Sequence, residues 1–184
     1  AYYGGDFART YRTTNDGSEP NIDSLLAPLD GDTIALQYEY IQNNPNELGK
    51  KDLLNQSDDG SNYSKLHNIY HPIIRSYLRK FGYYDIFLVD IESGDIVYSV
   101  FKEIDFGTSL RDGPYASTNF GRAFREAAKA KWKDAVAFVD YEPYPPSYEA
   151  AASFIASPIF DGDKKVGVAM FQMPISRIND ILAE

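Results

Sequence analysis

A chain of 184 residues that is 43% hydrophobic can bury one sizeable core and is short for two ordinary domains. Its formal net charge of -9, with no run of Lys and Arg, repels a phosphate backbone and argues against nucleic acid as a partner. With no cysteine there is no disulfide framework, thiolate zinc site or Cys nucleophile, and no stretch approaches the roughly 20 apolar residues that cross a bilayer.

Residues 1–20 are rich in turn formers (Gly4, Gly5, Asn15, Asp16, Gly17, Pro20) and predict an irregular or partly helical lead-in, with Phe7 and Tyr11 as its docking points. From Asp23 the apolar spacing becomes helical: Leu25, Leu26 and Leu29, then Ile34, Tyr38 and Ile41, ending at Asn44-Pro45. Asp30 or Asp32 is placed to cap the second segment. Residues 45–60 are polar and Gly-punctuated, the composition of an exposed connection. Ser61 opens the strongest helix, with Leu66, Ile69, Tyr70, Ile73, Ile74, Tyr77, Leu78 and Phe81 on one face, Pro72 predicting a kink or break, and Gly82 as the stop.

Beyond Gly82 the period turns strand-like. Segments 84–90 and 95–101 predict a hairpin, Thr118 to Ala130 an amphipathic helix, 134–140 a third strand, and 151–160 with 165–173 a second hairpin about Asp161-Gly162-Asp163-Lys164. A closing helix is expected from Pro174 through Ile175, Ile178 and Ile181. Five strands with a hairpin first and last cannot be all parallel, so the expected fold is α+β: a mainly antiparallel five-stranded sheet, preceding helices and a C-terminal helix. Residues 1–82 would form a helical segment packed on a core of 83–184, one structural domain in total.

His67 and His71 stand one helical turn apart, the spacing of zinc peptidases, but Asn68 occupies the place of the general-base Glu. The pair reads as two helix-surface histidines in preference to a metal site. No Gly-x-Ser-x-Gly elbow and no glycine-rich phosphate loop is present, and most of the 27 acids are expected on a solvated face. Two segments are harder to explain as scaffold. Tyr141 to Tyr148 carries three tyrosines and three prolines between strands, and reads equally as a pocket lid or as a rigid aromatic crossover. In Ser109 to Tyr115, Arg111 offers a bidentate fork for a carboxylate and Tyr115 an aromatic wall, with a salt bridge from Arg111 to Asp112 or Asp105 as the other reading.

The stretch FGYYDIFLVDIESGDIVYSVFKEIDFGTSL, followed by DGPY and then YPPSYEAAASFIASPIFDGDKKVGVAMFQMPISRIN, resembles the Cache-type sensor domain of bacterial chemoreceptors, sensor histidine kinases and membrane cyclases. Upstream, LLAPLDGDTIALQYEYIQNNPNELGKKDLL resembles the helical segment that precedes the sheet in one branch of these receptors, so the match covers about residues 24–180. The resemblance implies a PAS-like extracytoplasmic domain of an inner-membrane receptor, periplasmic and tethered through flanking membrane segments, with no catalysis and no cofactor. It would bind a small polar metabolite such as an amino acid or carboxylate and act as a homodimer in the full receptor.

By position in the resembled fold, Tyr98 and Phe101 of strand two, Arg111 and Tyr115 of the following loop, Asp140, Tyr144 and Tyr148 of the crossover, and Ser153 and Phe154 of strand four would line the site. Strand alternation sends Tyr98 and Phe101 to opposite faces, and likewise Ser153 and Phe154, so at most one of each pair reaches the ligand. The rival readings are a non-binding protein-interaction or dimerisation module, and a hydrolase using paired carboxylates or a metal on His67 and His71.

Overall fold

The computed structural model describes residues 2–175, so the expected closing helix lies outside the described residues beyond Ile175. A π-helical turn over Tyr3–Phe7 leads into α1 (Ala8–Thr14), followed by α2 (Ile22–Leu26) and α3 (Gly31–Gln37). A 20-residue helix, α4 (Asn62–Phe81), precedes β1 (Asp85–Asp90) and β2 (Ile96–Ser99). Then come α5 (Asn119–Lys129), β3 (Ala137–Pro143), β4 (Ala151–Asp161) and β5 (Lys164–Met173). The five strands form one sheet in the order β2-β1-β5-β4-β3, with every pairing antiparallel. Among the described residues no helix is long and apolar enough to cross a membrane.

The predicted caps hold in detail. Asp30 rather than Asp32 caps α3, its carboxylate accepting from the Thr33 amide at 2.7 Å. Ser61 and Thr118 cap α4 and α5 in the same way. Gly82 closes α4 in the left-handed conformation at φ 72°, where a Cβ would be strained. The third strand starts three residues later than expected and runs into the crossover, because Glu142 and Pro143 pair with Ala152 and Ala151 across a register shift after Val139.

Alternation splits the sheet into two faces. Phe87 and Val89 of β1, Phe154 and Ala156 of β4, and Val168 and Met170 of β5 pack with Phe120, Ala123 and Phe124 of α5 and with Tyr2 and Phe7 of the lead-in, making the main core. On the other face Ile86, Tyr98 and Val100 meet Leu78 of α4.

Helix α4 corrects two expectations. Pro72 does not break it into two helices, and Asn68, whose carbonyl has no donor at Pro72, is exposed to water. The apolar stripe faces outward: Leu66, Ile69, Tyr70, Ile73 and Tyr77 are 50–65% exposed, while Ser64, His67, His71 and Leu78 are buried against the protein. Hydrogen bonds secure the polar inner face, beginning with Tyr40, whose hydroxyl donates to Ser64 Oγ at 2.8 Å.

The segment 45–60, expected to be an exposed connection, is exposed over most of its length, but Lys51, Asp52 and Ser57 are buried. The Asp52 carbonyl accepts from His71 Nε2 and from Arg75 Nη1, each at 2.6 Å, and its carboxylate pairs with Arg79 at 2.9 Å. Donors on α4 thus satisfy Asp52, a residue that composition alone assigns to solvent.

Candidate functional site

The site begins with Asp85, fully buried at the start of β1. Its carboxylate accepts from the amides of Ile86 at 2.6 Å, Val100 at 2.8 Å and Phe101 at 3.3 Å, and from the Ser99 hydroxyl at 2.8 Å. These bonds turn the chain at the end of β2, where Lys102 takes φ 63°. Burial lifts the Asp85 carboxyl to about 6, against the Ser99 hydrogen bond and the Lys102 charge, which lower it. Burial likewise pushes the Lys102 amine down to about 7, with Asp85 pulling the other way.

Lys102 is buried with its Nζ donating to the Ser99 carbonyl and standing 4.6 Å from the Tyr98 ring centroid, 5.3 Å from Phe106 and 5.8 Å from Tyr40. Three aromatic faces replace water around the ammonium.

The same turn presents Phe101 and Glu103 to a cleft of about 360 Å³ between the lead-in, the loop at Leu48 to Lys51, and the end of the crossover. Tyr2, Tyr84, Phe101 and Tyr148 supply aromatic walls, with Tyr84 and Phe101 stacked at 5.6 Å. Glu103 Oε1 accepts from the Tyr84 hydroxyl at 2.8 Å and Oε2 from the Ser147 hydroxyl at 3.1 Å. Burial, then the neighbouring Asp105 and Asp85, raises the Glu103 carboxyl well above the usual carboxylate range. Behind it Asp105 accepts from the Tyr144 hydroxyl at 2.7 Å and is lifted to about 7, chiefly by burial; its Oδ1 has no partner. An apolar container with a few converging polar groups is the usual form of a small-molecule site.

The nine residues expected at the site are not gathered in one place. Phe101 and Tyr148 line the cleft. Tyr115, Tyr144 and Phe154 are packed inside the core, where Tyr144 meets Phe120 at 5.7 Å and Phe154 at 5.2 Å, and Phe120 stacks on Phe154 at 4.3 Å. Ser153 is buried, donating to the Val139 carbonyl at 2.7 Å. Tyr98 lies under α4. Arg111 and Asp140 are exposed; the Arg111 guanidinium donates to the Ile91 carbonyl at 2.8 Å, and the Asp140 carboxylate accepts from the Tyr141 amide. Neither Asp112 nor Asp105 pairs with Arg111 in the described residues. Tyr98 and Phe101 also do not take opposite faces. Both pack on the cluster under α4, because β2 ends at Ser99 and the chain has turned before Phe101.

Tyr2, Tyr84, Lys102 and Glu103 escaped the sequence reading. Their one signal is Lys102-Glu103 directly after an apolar strand, where a charge pair ordinarily marks a solvated turn.

The two histidines are a further correction, since both are buried in place of lying on the helix surface. Their rings stack at 4.3 Å; His67 Nδ1 faces the Asn55 carbonyl at 2.7 Å, and His71 bridges Tyr98 Oη at 2.7 Å and the Asp52 carbonyl. Among the described residues no group of three or more His, Asp or Glu is placed to hold a metal ion.

Burial, then the Lys102 charge, pushes both imidazoles down to about 3. Unfolded, each takes its proton near 6.5, so between these limits the unfolded chain binds more protons. The stability conferred by the neutral rings is therefore lost as pH falls below about 6.5, by roughly 1.4 kcal/mol per pH unit for each histidine. His71→Phe should cost about 1–3 kcal/mol at pH 7, because Tyr98 and Asp52 lose a partner, and should flatten the decline in urea midpoint between about pH 6 and 4. An unchanged slope would show that His71 titrates normally.

No family model matches the chain, and no curated protein matches it. Among solved structures it is similar to the histidine kinase DctB sensor domain of V. cholerae, at 14% identity and TM-score 0.49, covering 98% of this chain and 60% of that one. It is also similar to the sensory domain of the Campylobacter jejuni chemoreceptor Tlp3 with isoleucine bound, at 13% identity and TM-score 0.48, covering 97% and 61%. A third is the ligand-binding domain of the Pseudomonas aeruginosa amino acid chemoreceptor PctC in complex with GABA, at 14% identity and TM-score 0.43, covering 98% and 64%. The chain thus spans less than two thirds of the length of each.

Proposed function

We propose that this chain is the extracytoplasmic ligand-sensing domain of a bacterial transmembrane receptor, without catalysis of its own, and that it binds a small polar metabolite in the cleft beside Glu103. The observation that carries this reading is the cleft itself: about 360 Å³, four aromatic walls, and a carboxyl held by Tyr84 and Ser147. The resemblance to receptor sensor domains supplies the context, and the amino acid and GABA complexes of the similar structures agree with a small polar ligand. Phe101 and Tyr148 contact the ligand, while Tyr144 holds Asp105 from behind. A ligand signals only through its difference in affinity between two arrangements of the domain, and the cleft joins the lead-in to the sheet, where such a difference can arise.

A second reading, an interaction or dimerisation module, is favoured by the outward apolar stripe of α4, which continues into an apolar groove along Tyr63, Leu88 and Val97. The two readings are compatible if a second copy covers the stripe in the receptor.

A thermal-shift panel of amino acids, organic acids and amines tests the first reading. A stabilising compound should lose its effect in Phe101→Ala and Tyr148→Ala and keep it in Arg111→Ala. No stabilisation by any compound, together with concentration-dependent dimerisation abolished by Ile73→Glu, would leave the interaction module as the function.

A further inference from the structure

We infer that the cleft beside Glu103 selects an organic ammonium, a primary amine that carries no carboxylate of its own. This inference rests on the cleft being the ligand site and names the charge that the site accepts.

Glu103 forms no ion pair among the described residues, although its two oxygens are held in place by the Tyr84 and Ser147 hydroxyls. Asp105 adds a second buried carboxyl, and its Oδ1, shielded from water, has no hydrogen-bond partner. Once ionised, Glu103 carries a charge with no ion-pair partner among the described residues of this low-dielectric wall, which a cation relieves and an anion worsens.

Each lysine at the cleft already holds a backbone carbonyl. Lys51 Nζ donates to the Asn44 carbonyl at 2.9 Å, and Lys102 Nζ is held by the Ser99 carbonyl within its three aromatic rings. A ligand carboxylate would therefore enter beside the Glu103 carboxyl and compete with backbone carbonyls for either lysine. The aromatic lining of Tyr2, Tyr84, Phe101 and Tyr148 suits the same sign of charge, because an aromatic ring attracts a cation over its face. A metal ion fits poorly, because hard divalent cations take about six oxygen ligands and only Glu103 offers a carboxylate to the cleft.

Proton linkage follows from the same contacts. In the free protein burial keeps Glu103 protonated well above the usual carboxylate range, whereas an ammonium ligand binds the ionised form. Binding then releases a proton, and affinity rises with pH until Glu103 ionises unaided.

Isothermal titration of the whole chain with n-butylamine, phenethylamine, phenylalanine and 3-phenylpropionate, in two buffers of different ionisation enthalpy, tests this. At least one of the two amines should bind, with a heat that changes between buffers in the sense of proton release, and more tightly than phenylalanine or phenylpropionate by about tenfold or more. Glu103→Gln, which keeps an acceptor for one of the two hydroxyls and offers its NH2 to the oxygen of the other, should weaken the amine about tenfold and remove the buffer dependence. Tyr84→Phe, which leaves the carboxyl in place, should weaken it less and keep the buffer dependence.

Absence of binding by both amines up to about 10 mM overturns the inference, as does equal affinity in Glu103→Gln. Tighter binding of phenylalanine that still depends on Phe101 and Tyr148 also overturns it while leaving the sensing cleft intact. Loss of that dependence would remove the cleft as the site.

Discussion

Asp85→Ala is expected to lower the unfolding free energy by about 3–5 kcal/mol, a large part of the stability of a domain this size. One carboxylate gathers the amides of Ile86, Val100 and Phe101 and the Ser99 hydroxyl. Removing it leaves these buried donors unpaired and strips Lys102 of the carboxylate that favours its charged form. Asp85→Asn, which retains one acceptor oxygen, should fall between wild type and Ala. Urea denaturation of the three proteins measures the series, and a loss below about 1 kcal/mol for Asp85→Ala would mean that water replaces the carboxylate and the turn is looser than described. Because that turn delivers Phe101 and Glu103, the same variant should also lose any ligand-induced stabilisation.

Phe154→Ala should cost a similar amount, about 3–5 kcal/mol, through lost burial and the cavity that remains. The ring is fully buried, stacked on Phe120 at 4.3 Å and edge-on to Tyr144 at 5.2 Å, at the junction of α5, β4 and the crossover. Phe138 on the neighbouring strand offers an internal contrast. It pairs with Ile155 in register and is 60% exposed, so Phe138→Ala should change stability by no more than about 0.5 kcal/mol. Comparable losses at the two positions would contradict the assignment of the two sheet faces. Phe154 was expected to touch a ligand; the structure places it where it holds α5 against the sheet.

Local rules carried far in this chain wherever a residue's neighbours in sequence decide its state. Ser61, Thr118 and Asp30 cap helices because their side chains reach amides two or three residues on, and Gly82 and Gly162 end a helix and turn a hairpin because φ 72° and 59° cost glycine little. The two hairpins and the antiparallel character of the sheet were legible for the same reason. The period of two shows where strands run, and short polar turns show which of them are adjacent.

What α4 buries was not legible. Its apolar stripe is plain in the sequence, yet that stripe faces outward and the polar stripe of Ser64, His67 and His71 faces in. Periodicity identifies a face but not what lies opposite it, and here the opposing groups are the Tyr40 and Tyr98 hydroxyls and the Asn55 and Asp52 carbonyls, which reward polar donors and acceptors.

The sequence by itself determined an acidic, cysteine-free α+β domain with a five-stranded antiparallel sheet and a resemblance to receptor sensors. Only the tertiary structure decided which charged residues leave water. Lys102, Glu103 and Asp105 look like solvated turn residues along the chain and Asp85 like a strand residue, yet they form a largely buried polar cluster because the lead-in, the crossover and α4 close over one end of the sheet. Burial is a property of distant segments meeting, so no local pattern of charge could have announced it.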